Sequence, residues 1–308
     1  MVRRCRIKFD LLGRIDYLLG GFRTFRSGFT TAEEPLRRSG TRRESQIVSW
    51  MAKGLPSSVK RHSGIRNLTK GGPMKRITFC LSFYNQNKTL SEHIELWMSY
   101  PEDIKEQLTF FIIDDCSRTP AQSLVQDMGA LDIDLHLYRI QKDLYCNIAG
   151  VRNLGAQEAK TPWILIMDMD TLVPPNVAAE LIRLAKTDTK HVAYRFNRVV
   201  PENPHHEKHR KLHPAVCLIR KEDYWRIGGC EEDLVGHYGY TDLCFWLRAR
   251  GKVELKNCEN ICLIYRSAGE ADIQRDAEHN EKLFKERQRK ANWSNTYIRF
   301  PWRKDILS

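Results

Sequence analysis

A chain of 308 residues has room for one large or two modest domains, and 42% hydrophobic with 29% charged residues suits a protein with a buried core. Its longest apolar runs, Ile77 to Phe83 and Leu108 to Ile113, fall far short of the ~20 residues of a bilayer-spanning helix. Of the net charge of +12, residues 1–73 hold 16 Lys and Arg against 5 Asp and Glu, while Met74 to Ser308 balances 34 against 33. The body is therefore nearly neutral, and no specific nucleic-acid partner is expected. Nine cysteines, an odd number at irregular spacing, favour a reducing compartment, so a cytoplasmic location is expected. They read as small core hydrophobes rather than ligands.

Residues 1–73 form a basic leader of low order, without sustained periodicity, whose apolar pieces are too short for a secretory signal. Lys70-Gly71-Gly72-Pro73 stands directly before Met74, and codons for Lys-Gly-Gly can spell a ribosome-binding site. One reading places the native start at Met74; another makes the leader an arm for anionic lipid or nucleic acid.

From Met74 onward the elements alternate. Arg76 to Phe83 is a β-forming apolar run, Asn85 to Thr89 a polar turn, and Ser91 to Tyr100 a helix with Ile94, Trp97 and Met98 on one face. Leu108 to Ile113 reads as a second strand, Pro120 to Met128 as a helix and Ile133 to Arg139 as a strand. Asn147 to Lys160 reads as a helix and Trp163 to Met167 as a fourth strand. This order predicts an α/β fold, a mostly parallel sheet flanked by helices.

In such sheets ligands bind beyond the carboxyl ends of the strands. Three strands end there in polar clusters: Ser82-Phe83-Tyr84-Asn85, Asp114-Asp115 and Asp168-Met169-Asp170. In an extended backbone Asp168 and Asp170 would face the same side, where a hard divalent ion such as Mn²⁺ or Mg²⁺ relieves their repulsion. Arg152 and Asn153 fall in the first turns of a helix, within reach of a diphosphate. Further on, glycines 228, 229, 236 and 239 punctuate a loop that leads into a helix from Thr241. Thr241 and Asp242 suit helix capping, and Asp242 also suits a general base at the crevice rim.

From Met74 to about Phe284 these ordered motifs resemble inverting nucleotide-sugar glycosyltransferases of the GT-A fold, family 2-like. The block from Gly228-Gly229 to Asp242 is similar to that of galactosyl- and N-acetylgalactosaminyltransferases. The resemblance implies a Rossmann-like GT-A domain over residues 74–290. Its nucleotide-binding half would run over 74–170 and its acceptor and catalytic half over 171–290. It implies substrate-binding roles for Ser82, Tyr84, Asp114, Asp115, Arg152, Asn153 and Thr241, with Asp115 on the uracil imide. Metal-binding roles fall to Asp168 and Asp170, and that of catalytic base to Asp242. The implied donor is a UDP-sugar and the acceptor a glycan or lipid-linked hydroxyl.

Two departures stand out. Thr241 replaces the first Glu of the family's Glu-Asp pair, and Cys262 to Ser267 offers no histidine where a metal-ligating one often lies, only Arg266. The run from Asn197 to His213 reads as a polar, acceptor-facing loop, although His205, His206, His209 and His213 also admit a metal site. Ala271 to Lys290 reads as a charged surface helix. The aromatic and basic tail of residues 291–308 packs back on the core or touches a membrane as a peripheral contact. Two other readings remain: a sugar-nucleotide nucleotidyltransferase, disfavoured because no Gly-rich loop follows the first strand, and a catalytically silent GT-A-like binding protein.

Overall fold

The computed structural model describes residues 74–187, 189–266 and 273–307; the basic leader lies outside them. Strand β1 (Ile77–Phe83) is buried along its whole length, as is β2 (Leu108–Asp114). A strand buried on both faces needs apolar side chains at every position, and both runs supply them. Between the two lie helices α1 (Asn87–Met98) and α2 (Glu102–Lys105). Helix α3 (Ala121–Asp127) leads to β3 (Leu135–Ile140), and α4 (Ile148–Glu158) to β4 (Trp163–Asp168). These four strands pair in parallel in the order β3-β2-β1-β4, the α/β arrangement expected.

The second half adds β5 (Thr171–Leu172), α5 (Pro175–Lys186), β6 (Val192–Val199) and β7 (Lys211–Arg220). Helices α6 (Lys221–Ile227) and α7 (Thr241–Ala249) precede β8 (Glu254–Tyr265), and α8 (Glu278–Lys290) precedes β9 (Trp302–Asp305). One sheet joins them all, in the order β5-β8-β6-β7-β4-β1-β2-β3-β9. β7 runs antiparallel to both β4 and β6, and β9 antiparallel to β3.

Side chains alternate across the sheet. Phe79, Leu81, Phe110 and Ile112 pack on one face with α1 and α5, where Trp97 stacks on Phe110 at 4.7 Å. Cys80, Phe111, Ile113 and Ile166 pack on the other with α4, α6 and α7. Helix α4 lies close against the sheet at Gly155, where a Cβ would come 3.1 Å from Cys80 Cβ and Ile113 Cδ1.

Three expectations shift. The turn after β1 is shorter than Asn85 to Thr89, because Asn85 takes a left-handed conformation (φ 52°) and α1 starts at Asn87. The loop expected from Asn197 to His213 shrinks to the stretch between β6 and β7, since His213 belongs to β7. The tail is built into the sheet through β9, with Trp302 opposite Ile140. All eight cysteines among the described residues are free, and no helix there is long and apolar enough to cross a membrane.

Candidate active site

The ends of β1 and β2 are tied together first. Asp115 N–H donates to Phe83 O at 2.9 Å, and Asn85 exchanges hydrogen bonds with the backbone of Arg118 and the hydroxyl of Ser117. Successive strand residues point to opposite sides, and the two aspartates part accordingly. The Asp114 carboxylate accepts from Ser117 N at 2.7 Å and Ala121 N at 3.0 Å and pairs with Arg139. It thereby shapes the turn and the start of α3. Asp115 Oδ2 accepts from Asn147 N at 3.0 Å, while its Oδ1 is buried without a partner, as is Ser82 Oγ on the neighbouring strand. Burial drives the Asp115 pKa up to about 7; the Asn147 N–H counters this, and the charges of Asp143 and Asp114 add to it. Tyr84 follows, half buried, at the mouth of β1.

Asn147 caps α4 by accepting from Gly150 N at 3.1 Å, so the helix start is fixed to Asp115. One turn further Arg152, 4% exposed, donates from Nη1 to Asp242 Oδ1 at 2.5 Å and from Nη2 to Asp168 Oδ1 at 2.8 Å. Burial works against its charge, but the two carboxylates outweigh it and raise its pKa. The next residue faces elsewhere. Asn153 donates to Cys230 O and Glu232 Oε1 and accepts from Tyr224 OH and Cys230 N. Its amide is fully occupied in holding the glycine loop after α6, with nothing left for a diphosphate.

Strand β4 ends at Asp168, and a turn rather than an extended strand carries the chain to Asp170. His93 of α1 holds that turn through Nε2 and Met169 O, 3.1 Å apart. Burial lowers the pKa of His93 to about 4 against the pull of Met169 O and Asp170, so the ring is neutral and donates. Asp168, Asp170 and His213 place one ligand atom each within 4.8 Å of one another, a group able to hold a metal ion. The carboxylates suit a hard divalent ion directly. His213 Nδ1 accepts from Ala215 N at 3.1 Å and Val216 N at 3.0 Å, which puts the ring proton on Nε2. From there it donates to Thr171 Oγ1 at 3.0 Å, whose hydroxyl donates to Asp170 Oδ1 at 3.1 Å. As arranged, His213 orients Asp170, and its Nε2 would meet a metal only in the other tautomer, which would set an Nδ1 proton against the Ala215 and Val216 N–H groups. Burial raises the Asp170 pKa, but the hydrogen bonds from His213 and Thr171 and the charge of Lys208 bring it below the ordinary value.

Asp242 stands in the first turn of α7, behind Tyr240 in a left-handed conformation (φ 64°), and neither Thr241 nor Asp242 caps the helix. Gly228, Gly229, Gly236 and Gly239 all have positive φ, as the punctuated loop predicted. At the end of β8, Arg266 N–H donates to Asp170 O at 2.8 Å and its guanidinium pairs with Glu202 at 2.8 Å. A cavity of about 660 Å³ opens beside it, lined by the turn after β1, by Val200, Glu202 and His206, and by Tyr265.

Ser82, Asp115, Arg152, Asp168, Asp170 and Asp242 thus gather at the carboxyl ends of β1, β2 and β4 and the start of α7, whereas Asp114 and Asn153 serve the framework. His93 escaped the sequence reading, and His213 stood there only as one of four loop histidines that also admit a metal site, with no link to Asp168 and Asp170. Their partners lie 76 and 42 residues away, and only the packing of α1 and β7 joins them.

The four parallel strands β3-β2-β1-β4, with paired carboxylates at the end of β4, give the α/β sheet of the GT-A fold. Solved structures share the fold: S. aureus TarS 1–349 at 13% identity and TM-score 0.51, covering 62% of this chain and 60% of its own. Mannosyltransferase PcManGT from Pyrobaculum calidifontis, in complex with GDP-Man and Mn²⁺, has 18% identity and TM-score 0.51, covering 72% and 66%. GalNAc-T7 with UDP, GalNAc and Mn²⁺ has 12% identity and TM-score 0.52, covering 64% and 45%. This chain therefore spans less than two thirds of each. No curated protein sequence matches it. Residues 78–250, more than half the chain, match the profile of Glycosyl transferase family 2, and the chain belongs to that family of glycosyltransferases.

Proposed function

We propose that this glycosyltransferase moves a sugar from a UDP-sugar to an acceptor hydroxyl on a glycan or lipid-linked molecule, with inversion, and depends on Mn²⁺ or Mg²⁺. The observation that carries the reading is the Arg152 bridge, which brings the Asp242 and Asp168 carboxylates to one guanidinium. Base and metal-site residues 74 positions apart in sequence then share one crevice.

The unpartnered Asp115 Oδ1 and Ser82 Oγ suit a base with its own donor and acceptor, and a uracil N3–H fits the carboxylate oxygen. Tyr84 flanks it. Asp168 and Asp170 would hold a divalent ion, which would supply positive charge to the diphosphate. Arg152 adds a second, fixed charge beside the leaving group. Asp242 takes the proton of the acceptor hydroxyl as its oxygen attacks the anomeric carbon. The bond from that carbon to the diphosphate oxygen breaks with its electron pair going to UDP. Attack opposite the leaving group inverts the centre. GDP-Man and UDP in the structural neighbours support a nucleotide-sugar donor, and Asp115 favours uridine. The domain is read as spanning residues 74–290 with its tail joined through β9.

A general base contributes roughly 10²–10⁴-fold, so Asp242→Asn should lose transfer by that factor and keep nucleotide binding. Thermal shift with UDP and Mn²⁺ measures binding, and UDP release from UDP-glucose, UDP-galactose and their N-acetyl forms measures turnover. Near-native turnover in Asp242→Asn, or no metal-dependent shift with UDP, refutes the reading.

A further inference from the structure

The loop that delivers Asp242, residues 234–240, has almost no regular backbone bonding of its own. Gly236 and Gly239 sit at φ 92° and 88° and Tyr240 at 64°, so its carbonyls turn inward rather than along a ladder. They converge on one side chain. Asn280, in the first turn of α8 and 0% exposed, directs Nδ2 at Leu234 O (3.1 Å), His237 O (2.9 Å), Tyr238 O (3.3 Å) and Gly239 O (3.0 Å). An amide nitrogen carries two hydrogens, so each is shared between carbonyls, and Asn280 Oδ1 has no partner. No carboxylate, which only accepts, could stand there.

The contacts around this contact are consistent with a dedicated seat. The His237 and His279 rings stack at 3.8 Å, and Tyr240 meets Phe284 at 5.3 Å. At Gly239 the positive φ leaves no place for a side chain, and a Cβ would come 3.2 Å from that of Ala277. Otherwise α8 is a polar helix whose single buried residue is Asn280. A buried amide on an exposed helix, bonded to nothing but one loop's carbonyls, has little to do except hold that loop.

We infer that Asn280 is the positioning residue of the catalytic loop: it sets the path of residues 234–240 and through them the place of Asp242. The inference rests on the reading of Asp242 as base. It also extends the functional unit beyond the residues 78–250 matched by the family profile.

The test compares full-chain Asn280→Ala and Asn280→Asp with wild type and with Asp242→Asn. UDP release from the UDP-sugars above gives kcat and donor KM, and amide hydrogen exchange reports on the loop. Since a misplacement of about 1 Å can cost about 10²-fold, Asn280→Ala should lower kcat by that order. Donor KM and the thermal shift by UDP and Mn²⁺ should stay within about twofold. Exchange should quicken in residues 235–240 and stay unchanged in β1 and β2. Asn280→Asp, which sets a carboxylate against four carbonyl oxygens, should lose more; if it fails to fold, the alanine variant decides. Wild-type kcat or unaltered loop exchange in Asn280→Ala, with Asp242→Asn inactive, overturns the inference. So does a loss spread equally over kcat and donor KM. An active Asp242→Asn overturns the base assignment instead.

Discussion

Around Asp115 the backbone is held by apolar burial; around Asp242 it is held by buried charge. β1 and β2 are hydrophobic on both faces, and their carboxyl ends arrive at the crevice because Phe79, Phe110 and Trp97 leave the sheet no other packing. The segment before α7 has few such anchors. Glu231, wholly buried, accepts from Ser294 N at 2.9 Å and faces Arg248, and Glu232 accepts from Ile298 N at 2.7 Å and from Asn153. Asp233 pairs with Arg287 and Arg299. Polar contacts are directional and hydrophobic ones are not, so the half that carries the proposed base is held by the directional kind. The half proposed to bind the nucleotide has a rigid apolar floor.

The sharpest way to break this contrast is at Glu232. Glu232→Ala leaves Ile298 N–H and the buried Asn153 amide without their acceptor, at about 1–3 kcal/mol each, and should lose stability accordingly in urea unfolding. It should also loosen the tail from the glycine loop, because Ile298 N and the Asn153 amide lose their acceptor together. Glu232→Gln keeps one acceptor oxygen and should cost about 1–2 kcal/mol. Trp97→Ala, the apolar counterpart, should cost about 3–5 kcal/mol through its cavity. A stable Glu232→Ala beside a crippled Trp97→Ala would mean that apolar packing holds both halves.

Asp115 is where the nucleotide half departs from its own rule. Its pKa of about 7 against 3.8 in the unfolded chain means the folded protein binds the proton more tightly. That stabilisation is complete below pH 3.8 and is lost as pH rises through 7, a difference of about 4 kcal/mol at most. Asp115→Asn should therefore raise the unfolding free energy at pH 8 and leave it almost unchanged at pH 4. The same substitution should weaken the thermal shift by UDP, because Asn147 N–H claims the amide oxygen and leaves an NH2 group, which only donates, facing the uracil N3–H. In the wild type, UDP affinity should fall as pH drops below 7. Equal stability of the two proteins at pH 8 would contradict the burial argument.

What the sequence disclosed follows the same division. Largely apolar runs announced β1, β2 and β4, and the acidic pairs at the ends of β2 and β4 stood out against them. Which member of a pair faces the crevice was also readable in principle: strand neighbours alternate, so only one of Asp114 and Asp115 could. Arg152 and Asn153 are separated by about 100° around α4, and no periodicity says which side meets the crevice. The β6–β7 hairpin was hidden by its histidines and prolines, which read as loop, although Ala215 to Ile219 is apolar and Val192 to Phe196 is apolar apart from Arg195. His213 showed only as one histidine among four in a polar run, and Asn280 left no trace. A histidine in a polar run and an asparagine in a charged helix look like surface, and only tertiary contacts bury them.

His93 sharpens the comparison further, as the polar group on which the apolar half relies. It is wholly buried on α1, beside Trp97 at 5.6 Å, and holds Met169 between Asp168 and Asp170. Its pKa of about 4 lies below the 6.5 of the unfolded chain, so between those values the unfolded state takes up the proton first. The stability that His93 contributes is present above pH 6.5 and is lost as pH falls through 4, by about 3 kcal/mol. This opposes the gain from Asp115 over nearly the same range, and the two should largely cancel in the wild type. Asp115→Asn should unmask the loss, and Asp115→Asn with His93→Gln should remove it, because glutamine keeps a donor for Met169 O and does not titrate. Urea unfolding of the three proteins at pH 7 and pH 4.5 measures the difference. If the single and double variants lose stability alike on acidification, His93 is not the group that titrates, and the turn between Asp168 and Asp170 owes its place to packing alone.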